Sequence, residues 1–158
     1  DGEDAIDIAI SDDQISFNVG DVTVNSRLID GRFIDYRQLI PNSSETEAII
    51  NKSEFSRTTK ISELFARESA GSITINIDSK KSTLNVHSIA SEVGENTAET
   101  EAITKGGGSI TLNSKFLLDA INQIDSENVK IQFNGKLAPV LITAEDDLSY
   151  KHIVMPVK

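Results

Sequence analysis

The sequence predicts an α+β protein in which antiparallel sheets pack against two helices on one face. Three observations support this class. From residue 46 onward, an order of strand, helix and three strands occurs twice with a period of about sixty residues, which indicates an internal duplication. Most strand segments alternate apolar and polar side chains, as half-buried strands do. The 158 residues, of which 38% are hydrophobic, also suffice for a globular core without disulfides.

Residues 1–45 carry three predicted strands and a connector. The strands are DAIDIAI at 4–10, QISFNV at 14–19 and VTVNSRLI at 22–29, with a tight turn at Gly20. Such a meander leaves one face and one edge uncovered, so we expect it to be part of a larger sheet. The connector, residues 30–45, is rich in large apolar side chains. It must therefore pack on something, most simply at a junction between domains.

The first repeat begins with the strand TEAIIN and a helix over residues 52–67. Asn51 and Glu54 have the spacing of a capping box at the start of this helix. A helical projection assigns to its buried side Phe55, Thr58, Ile61 and Phe65, with Leu64 at the margin. The strands SITINI and STLNVHSI form a predicted hairpin across residues 78–81, and NTAETEAI adds a third strand.

The second repeat begins with the strand GSITLN, and its helix starts at Asn113. The helix is expected to expose Lys115, Asp119 and Asn122 and to bury Phe116, Leu117, Ala120, Ile121 and Ile124. The two helix starts correspond in placing a cap residue and then an aromatic, which is Phe55 in the first copy and Phe116 in the second. Three strands follow, NVKIQF, APVLITA and YKHIVMPV.

The charges are unevenly distributed. A formal net charge of −10 argues against a protein that coats nucleic acid nonspecifically, because such binding needs a basic surface. The helix over 52–67 is nevertheless locally basic, with Lys52, Lys60 and Arg67 on one face and Arg57 at its border. By default such a face is simply exposed to solvent. The absence of cysteine excludes disulfides and thiolate sites and fits a reducing cytoplasm.

No group of residues has the pattern of a catalytic or metal site. His87 and His152 lie far apart on separate predicted strands, where a lone histidine is more often a surface or packing residue. KGGGS at 105–109 lacks the phosphate-loop pattern, and AEDD at 144–147 lacks calcium-loop spacing. The sequence therefore predicts no catalysis, no cofactor and no metal. Two alternatives stay open: an enzyme that uses the carboxylates of this turn, and an extracellular β-rich interaction module.

Four segments, taken in order, resemble the bacterial sliding clamp, the beta subunit of the replicative DNA polymerase III. They are SRLIDGRFIDYRQLIP at 26–41, LNSKFLLDAI at 112–121, ENVKIQF at 127–133 and VMPVK at 154–158. The first resembles the interdomain segment of the family, and the last resembles its C-terminal segment. One departure is Ile34, where the family has proline, so the connector loses the fixed φ angle of a proline.

The resemblance implies a sliding-clamp, or processivity, fold, in which sheets form the outer wall of a ring and helices line its hole. Residues 1–45 are then the last strands of the middle clamp domain with the interdomain connector, and residues 46–158 a complete third domain. The implied function is that of a processivity factor, an accessory subunit without its own catalytic site in the bacterial cytoplasm. It would encircle double-stranded DNA without sequence specificity. A β-rich interaction module that is not a clamp is the alternative.

The resemblance also implies partners and site residues. In the family two subunits close head-to-tail, so a homodimer is implied for the full-length protein and a monomer for this chain. The replicative polymerase subunit, the clamp loader and other proteins would bind through short motifs of glutamine followed by apolar and aromatic residues. The implied pocket for these motifs comprises Ile34, Gln38, Leu39, Asn113, Phe116, Leu137, Pro139, Ile153, Val154, Met155, Pro156, Val157 and Lys158. The side chains expected to face DNA are Lys52, Arg57, Lys60 and Lys115.

Two alternatives stay open within the predicted pocket. Neighbouring residues of a strand face opposite ways, so one of Ile153 and Val154 must be a core residue. Phe116 fits the core as well as it fits the pocket. A flexible methionine beside a rigid proline, Met155 and Pro156, suits a pocket that accepts varied peptide side chains.

Overall fold

The computed structural model describes residues 5–91 and 94–157. The chain divides into two compact units, with the boundary between Asp35 and Tyr36. Two predicted positions, the strand start at Asp4 and the pocket residue Lys158, lie outside the described residues. In the described ranges, no helix has both the length and the apolar character needed to cross a membrane.

The first unit contains the predicted antiparallel meander. Its strands β1 (Asp7–Ile10), β2 (Gln14–Val19) and β3 (Val22–Arg27) pair in that order. Gly20 has a φ angle of +54° in the turn between β2 and β3, which glycine adopts at little steric cost. The expectation that β1 is half-buried is wrong, because every residue of β1 is exposed. A sheet of so few strands cannot bury a face by itself.

The second unit contains both repeats, preceded by a short 3-10 turn at Tyr36–Gln38. Its elements are β4 (Thr46–Asn51), α1 (Lys52–Phe65), β5 (Ser72–Asp78), β6 (Thr83–Ala90), β7 (Gly94–Glu101), β8 (Ile103–Lys105), β9 (Gly108–Asn113), α2 (Ser114–Gln123), β10 (Asn128–Phe133), β11 (Val140–Ala144) and β12 (His152–Val154). The predicted α+β class, with antiparallel sheets and two helices, is confirmed for the part of the chain that the structure describes.

The two repeats exchange their first strands. One sheet has the order β12-β11-β10-β4-β8 and the other the order β7-β6-β5-β9. Thus β4 of the first repeat pairs with β10, and β9 of the second repeat pairs with β5. The helix starts follow the same rule, because the Lys52 N–H donates to the Glu127 carbonyl and the Ser114 N–H to the Gly71 carbonyl, each at 2.8 Å. The duplication is therefore an approximate twofold exchange of strands.

The prediction that NTAETEAI is a single strand is wrong, because the chain changes sheets within it. β7 runs along β6, the buried Ala102 donates its N–H to the Ser82 carbonyl at 3.0 Å, and β8 then pairs with β4. The predicted strand YKHIVMPV is likewise shorter than expected, since β12 ends at Val154. Beyond it, the Val157 N–H donates to the Thr111 carbonyl of β9 at 2.9 Å. Both repeats therefore end by crossing to their own first strand.

Both sheets and both helices of the second unit contribute to one hydrophobic core. Ile61, predicted to be buried in α1, is 39% exposed, whereas Thr59 and Ser62 are buried. Thr59 tolerates burial because its Oγ1 donates to the carbonyl of Phe55, one turn earlier, at 2.7 Å. The buried face of α1 is thus rotated away from the face that hydropathy predicts.

The predicted match between the two helix starts is off by one residue. Asn51 and Asn113 cap the two helices in the same way, since each Oδ1 accepts the N–H groups two and three residues further on. Counted from these caps, Phe55 corresponds to Leu117, and both are fully buried. Phe116 falls one position earlier and is 56% exposed, so its predicted burial in α2 is wrong.

Candidate functional site

A cavity of about 370 Å³ is lined by α2 and by β12 with the residue that follows it. The helix contributes Phe116 and Asp119, and the strand contributes the segment 152–155. Because Asn113 fixes the start of α2, Phe116 stands in the first turn of the helix and remains exposed. The cavity therefore has an aromatic wall on one side and an extended strand on the other.

β12 divides its side chains between the core and this cavity. Val154 is only 2% exposed and belongs to the hydrophobic core, whereas Ile153 is partly buried and Met155 is 54% exposed. The alternation of a strand resolves the alternative left open for these neighbours, and Val154 is the core residue. Met155 brings a flexible thioether to the cavity, which can adapt to ligands of different shape.

The segment after β12 is held on both sides of Met155. On one side, Val140 of β11 pairs with Val154. On the other side, Pro156 has no N–H to continue this pairing, and the Val157 N–H bonds instead to the Thr111 carbonyl. The backbone of the segment is therefore fixed between two sheets while the methionine side chain stays exposed.

A second cavity of about 350 Å³ shares Phe116 with the first and surrounds the start of α2. The Nδ2 group of Asn113 donates to the Ala70 carbonyl at 2.9 Å, so the asparagine holds this loop as well as the helix. Gly71 has a φ angle of +76°, and a Cβ there would lie 3.1 Å from Asn113 Nδ2. Glycine is needed for both reasons. Asn113 is thus a structural residue of the site.

The other predicted pocket residues lie outside the lining of the first cavity. Ile34 is exposed in the first unit, and Gln38 ends the 3-10 turn of the second. Leu39 is partly buried. Leu137 is exposed between β10 and β11, and Pro139 directly precedes β11. The role of these residues in a pocket stays a prediction.

Sequence reasoning missed two polar residues of the first cavity. Asp119, expected only as a solvent-exposed residue, lies three positions after Phe116 and so on the same side of α2, a spacing that could have predicted it. His152 Nδ1 shares a hydrogen bond of 2.8 Å with the hydroxyl of Tyr150. Tyr150 packs on the core, and this burial raises the pKa of its hydroxyl. Alternation alone does not predict which face of β12 carries the His152 side chain, because that depends on where the strand begins.

The predicted DNA-facing side chains differ in whether they already form hydrogen bonds or ion pairs within the protein. The Lys52 ammonium donates to the carbonyl of Ile124, where α2 ends, and so complements the partial negative charge of that helix end. Arg57 forms an ion pair of 2.5 Å with the glutamate three residues before it, whereas Lys60 and Lys115 are exposed. Lys52, Arg57 and Lys60 line a groove of about 650 Å³ along α1. Contact of these side chains with DNA stays a prediction.

Asp147, one of the carboxylates considered for catalysis, lacks the electrostatics of a general acid. Asp147 accepts hydrogen bonds from the N–H and the hydroxyl of Ser149 at 2.7 and 2.9 Å. These bonds hold the pKa of Asp147 below its ordinary value, which is opposite to the shift expected for a proton donor. Across residues 5–91 and 94–157, no three His, Cys, Asp or Glu side chains are arranged to hold a metal ion.

The fold is similar to that of several solved DNA polymerase sliding clamps. The DNA polymerase III beta subunit of Thermotoga maritima matches with a TM-score of 0.80 and 25% identity, over 97% of this chain and 41% of that chain. A sliding clamp of Bartonella birtlesii bound to griselimycin gives a TM-score of 0.82 at 25% identity, over the same shares. The sliding clamp of Bacillus subtilis gives 0.78 at 28% identity, again over 97% and 41%. The predicted sliding-clamp fold is confirmed.

Sequence comparison agrees with the fold. The family model for the C-terminal domain of the DNA polymerase III beta subunit matches residues 37–158. The beta sliding clamp of Staphylococcus aureus is 31% identical over 160 residues, which is 100% of this chain and 42% of that protein. The chain therefore belongs to the DNA polymerase III beta subunit family. It spans 42% of the length of the curated relatives that it matches.

Proposed function

We propose that the protein acts as a processivity factor of a bacterial replicative DNA polymerase. In its full-length form it is a ring-shaped homodimer that encircles duplex DNA in the cytoplasm, as an accessory subunit without a catalytic site. Membership of the family supports this, because relatives that match along the whole chain are named beta sliding clamps. In this proposal residues 46–158 form the third domain, and residues 1–45 the last strands of the middle domain with the connector.

The charge distribution supports a clamp along which DNA can slide. The net charge of −10 repels DNA from most of the surface. Lys60 and Lys115 are exposed on α1 and α2, and Arg57 is exposed beside its glutamate partner. A few scattered cations give weak phosphate contacts that ignore base sequence. Lys52 contributes less to DNA contact than the other three, because its ammonium already bonds to a helix end.

The first cavity is the proposed capture site for partner proteins. The observation that carries this proposal is the exposure of two large apolar side chains, Phe116 and Met155, in one concave site beside Ile153. A ligand side chain that covers such groups gains about 25 cal/mol per Å² of buried apolar surface. Asp119 and His152 add polar groups that can orient a bound peptide. A motif of glutamine, apolar and aromatic residues from the polymerase subunit or the clamp loader fits this chemistry.

The test is an NMR titration of the isotope-labelled chain with a short glutamine-leucine-aromatic peptide. Chemical shift changes are expected at Phe116 and along residues 153–157, with smaller changes at Leu39 and Leu137. Met155→Ala is expected to weaken binding about tenfold, which corresponds to about 1.4 kcal/mol. Ile89→Ala is the matched control, because Ile89 is equally exposed but lies on β6, away from the cavity.

A peptide with alanine in place of the glutamine and the aromatic controls for nonspecific apolar binding. Equal shift changes with both peptides, or equal losses in both protein variants, would contradict capture by this cavity. An unresponsive segment 153–157 at saturating peptide would favour the alternative of a β-rich module that is not a clamp.

A further inference from the structure

We propose a second binding groove, related to the first cavity by the internal duplication, which takes an extended peptide segment with basic and aliphatic residues. The groove has a volume of about 570 Å³ and lies where β7 passes into β8. Its walls are residues 81–83, where the turn passes into β6, the segment 99–103 and Ile49 on β4. It shares none of its lining residues with the cavity beside β12.

The strand registers relate the two repeats position by position. In the first repeat, Leu84 of β6 pairs with Thr100 of β7, and in the second, Val140 of β11 pairs with Val154 of β12. Each repeat then crosses to its own first strand, since β8 pairs with β4 and the Val157 N–H bonds to β9. These two pairs are equivalent because the caps Asn51 and Asn113 correspond, and the ladders β4–β10 and β5–β9, followed by β10–β11 and β5–β6, carry that correspondence to β11 and β6.

Counted from those pairs, the groove is the first repeat's copy of the predicted pocket. The turn 81–83 corresponds to residues 137–139, and the segment 99–103 corresponds to residues 153–157. The family resemblance assigns Leu137, Pro139 and residues 153–157 to the pocket in the second repeat. The correspondence is geometric, so it does not depend on what the pocket of the second repeat binds.

The groove keeps an apolar floor but has a different rim. Ile49 is partly buried in it, and Ile103 is 70% exposed. Glu99 and Glu101 stand at the positions that an isoleucine and a methionine occupy in the second repeat. Lys81 stands at the position of a leucine. Where the second repeat has apolar side chains, the first repeat has two carboxylates and one ammonium group around an isoleucine.

Both carboxylates are accessible to a ligand. They alternate with the buried Thr100 along β7, so both lie on its exposed side. Glu99 Oε2 accepts a hydrogen bond from the hydroxyl of Thr83 at 3.3 Å. Neither carboxylate forms an ion pair with another residue of the described ranges. β8 is the edge strand of its sheet, so an extended segment can pair with the backbone beside Ile103.

The two carboxylates of the groove favour a partner segment that carries two cations. Two cations spaced two residues apart on an extended segment face the same way, as Glu99 and Glu101 do. An aliphatic residue of the same segment can cover Ile103. The glutamine-aromatic motif of the first cavity lacks these cations, so the two sites discriminate between partners by charge.

The test uses the full chain and the fluorescein-labelled peptide Gly-Lys-Ile-Arg-Val-Lys-Gly, followed by fluorescence polarisation at low ionic strength. One peptide is expected to bind each chain. The double variant Glu99→Gln/Glu101→Gln is expected to weaken binding at least about fivefold, since each charge pair at a surface contributes modestly. The matched control Asp12→Asn/Asp125→Asn removes the same charge from exposed positions outside the groove and is expected to bind like the unaltered protein.

A third variant tests the groove by gain of affinity. Lys81→Glu adds a third carboxylate to the rim and is expected to strengthen binding more than Lys151→Glu, which makes the same charge change at an exposed position outside the groove. An equal loss in the matched control would overturn the proposal, because it would reduce binding to general attraction by an acidic protein. Displacement of the basic peptide by the glutamine-leucine-aromatic peptide would also overturn it, because the two peptides would then share one site. Failure of the glutamine-leucine-aromatic peptide to bind at all would count only against the first cavity.

Discussion

Glu47 joins three strands of one sheet through a single carboxylate. It accepts hydrogen bonds from Lys105 at 2.7 Å and from the hydroxyl of Ser44 at 2.9 Å, and it pairs with Lys130 at 3.0 Å. The bond from Lys105 is the main cause that lowers the pKa of Glu47 from 4.5 to about 2, against the opposing effect of burial. Because the folded pKa lies below the unfolded one, the stabilisation is complete above about pH 4.5 and disappears as the pH falls toward 2.

Glu47→Gln is therefore expected to lower the free energy of unfolding by about 1 kcal/mol at neutral pH, since solvent screens part of this network. The difference from the unaltered protein should shrink as the pH falls from about 4.5 toward 2. Urea unfolding at a series of pH values measures it, with Asp125→Asn, an exposed carboxylate outside the network, as the control. A deficit that stays constant through the acid range would mean that lost packing, rather than lost charge, causes it.

The cap of α2 couples the stability of the helix to the first cavity. Asn113→Ala removes the acceptor for two N–H groups and the donor to Ala70, and is expected to cost about 1 kcal/mol of folding stability. Because Phe116 stands in the first turn, affinity for the glutamine-leucine-aromatic peptide should fall as well. Asn113→Asp keeps the acceptor of the helix cap but sets a carboxylate oxygen against the Ala70 carbonyl, so it should restore only part of the stability and of the affinity. Thermal unfolding and the peptide titration together measure this, and a full loss of affinity in Asn113→Asp would assign the peptide effect to the Ala70 bond instead.

The sequence predicted most elements but not their partners. Alternation and caps identify strands and helices because both are local, and the asparagine caps at 51 and 113 lie where they were predicted. The crossing at Ala102 was missed because alternation assigns residues to faces and leaves the paired strand unspecified. The helical projection alone places Phe116 on the buried face of α2, and only the family resemblance places it in the pocket, because exposure of a large apolar residue breaks the pattern that identifies a core. Such a break is expected at a binding site.

The exchange of first strands makes each repeat incomplete without the other. β4 completes the sheet of the second repeat, and β9 completes the sheet of the first. One hydrophobic core is shared by both repeats. Neither half can keep its sheet if the other unfolds, so the second unit should unfold as a single cooperative unit. This cooperativity follows from how the strands are connected. In linear repeat arrays, by contrast, each repeat contacts only its neighbours, and stability is approximately a sum over repeats and their interfaces.

Ile131→Ala tests that cooperativity. Ile131 is fully buried on β10 and pairs with Ala48 of β4, so its truncation leaves a cavity that costs about 2–5 kcal/mol. Native-state hydrogen exchange should then show an equal loss of protection in β10 and in β5, which belong to different sheets and different repeats. Ile8→Ala, an exposed position of the first unit, should leave protection in both strands unchanged. A loss of protection confined to β10 and β11 would mean that each half is stabilised by its own local contacts. The exchanged strands would then contribute little to cooperativity.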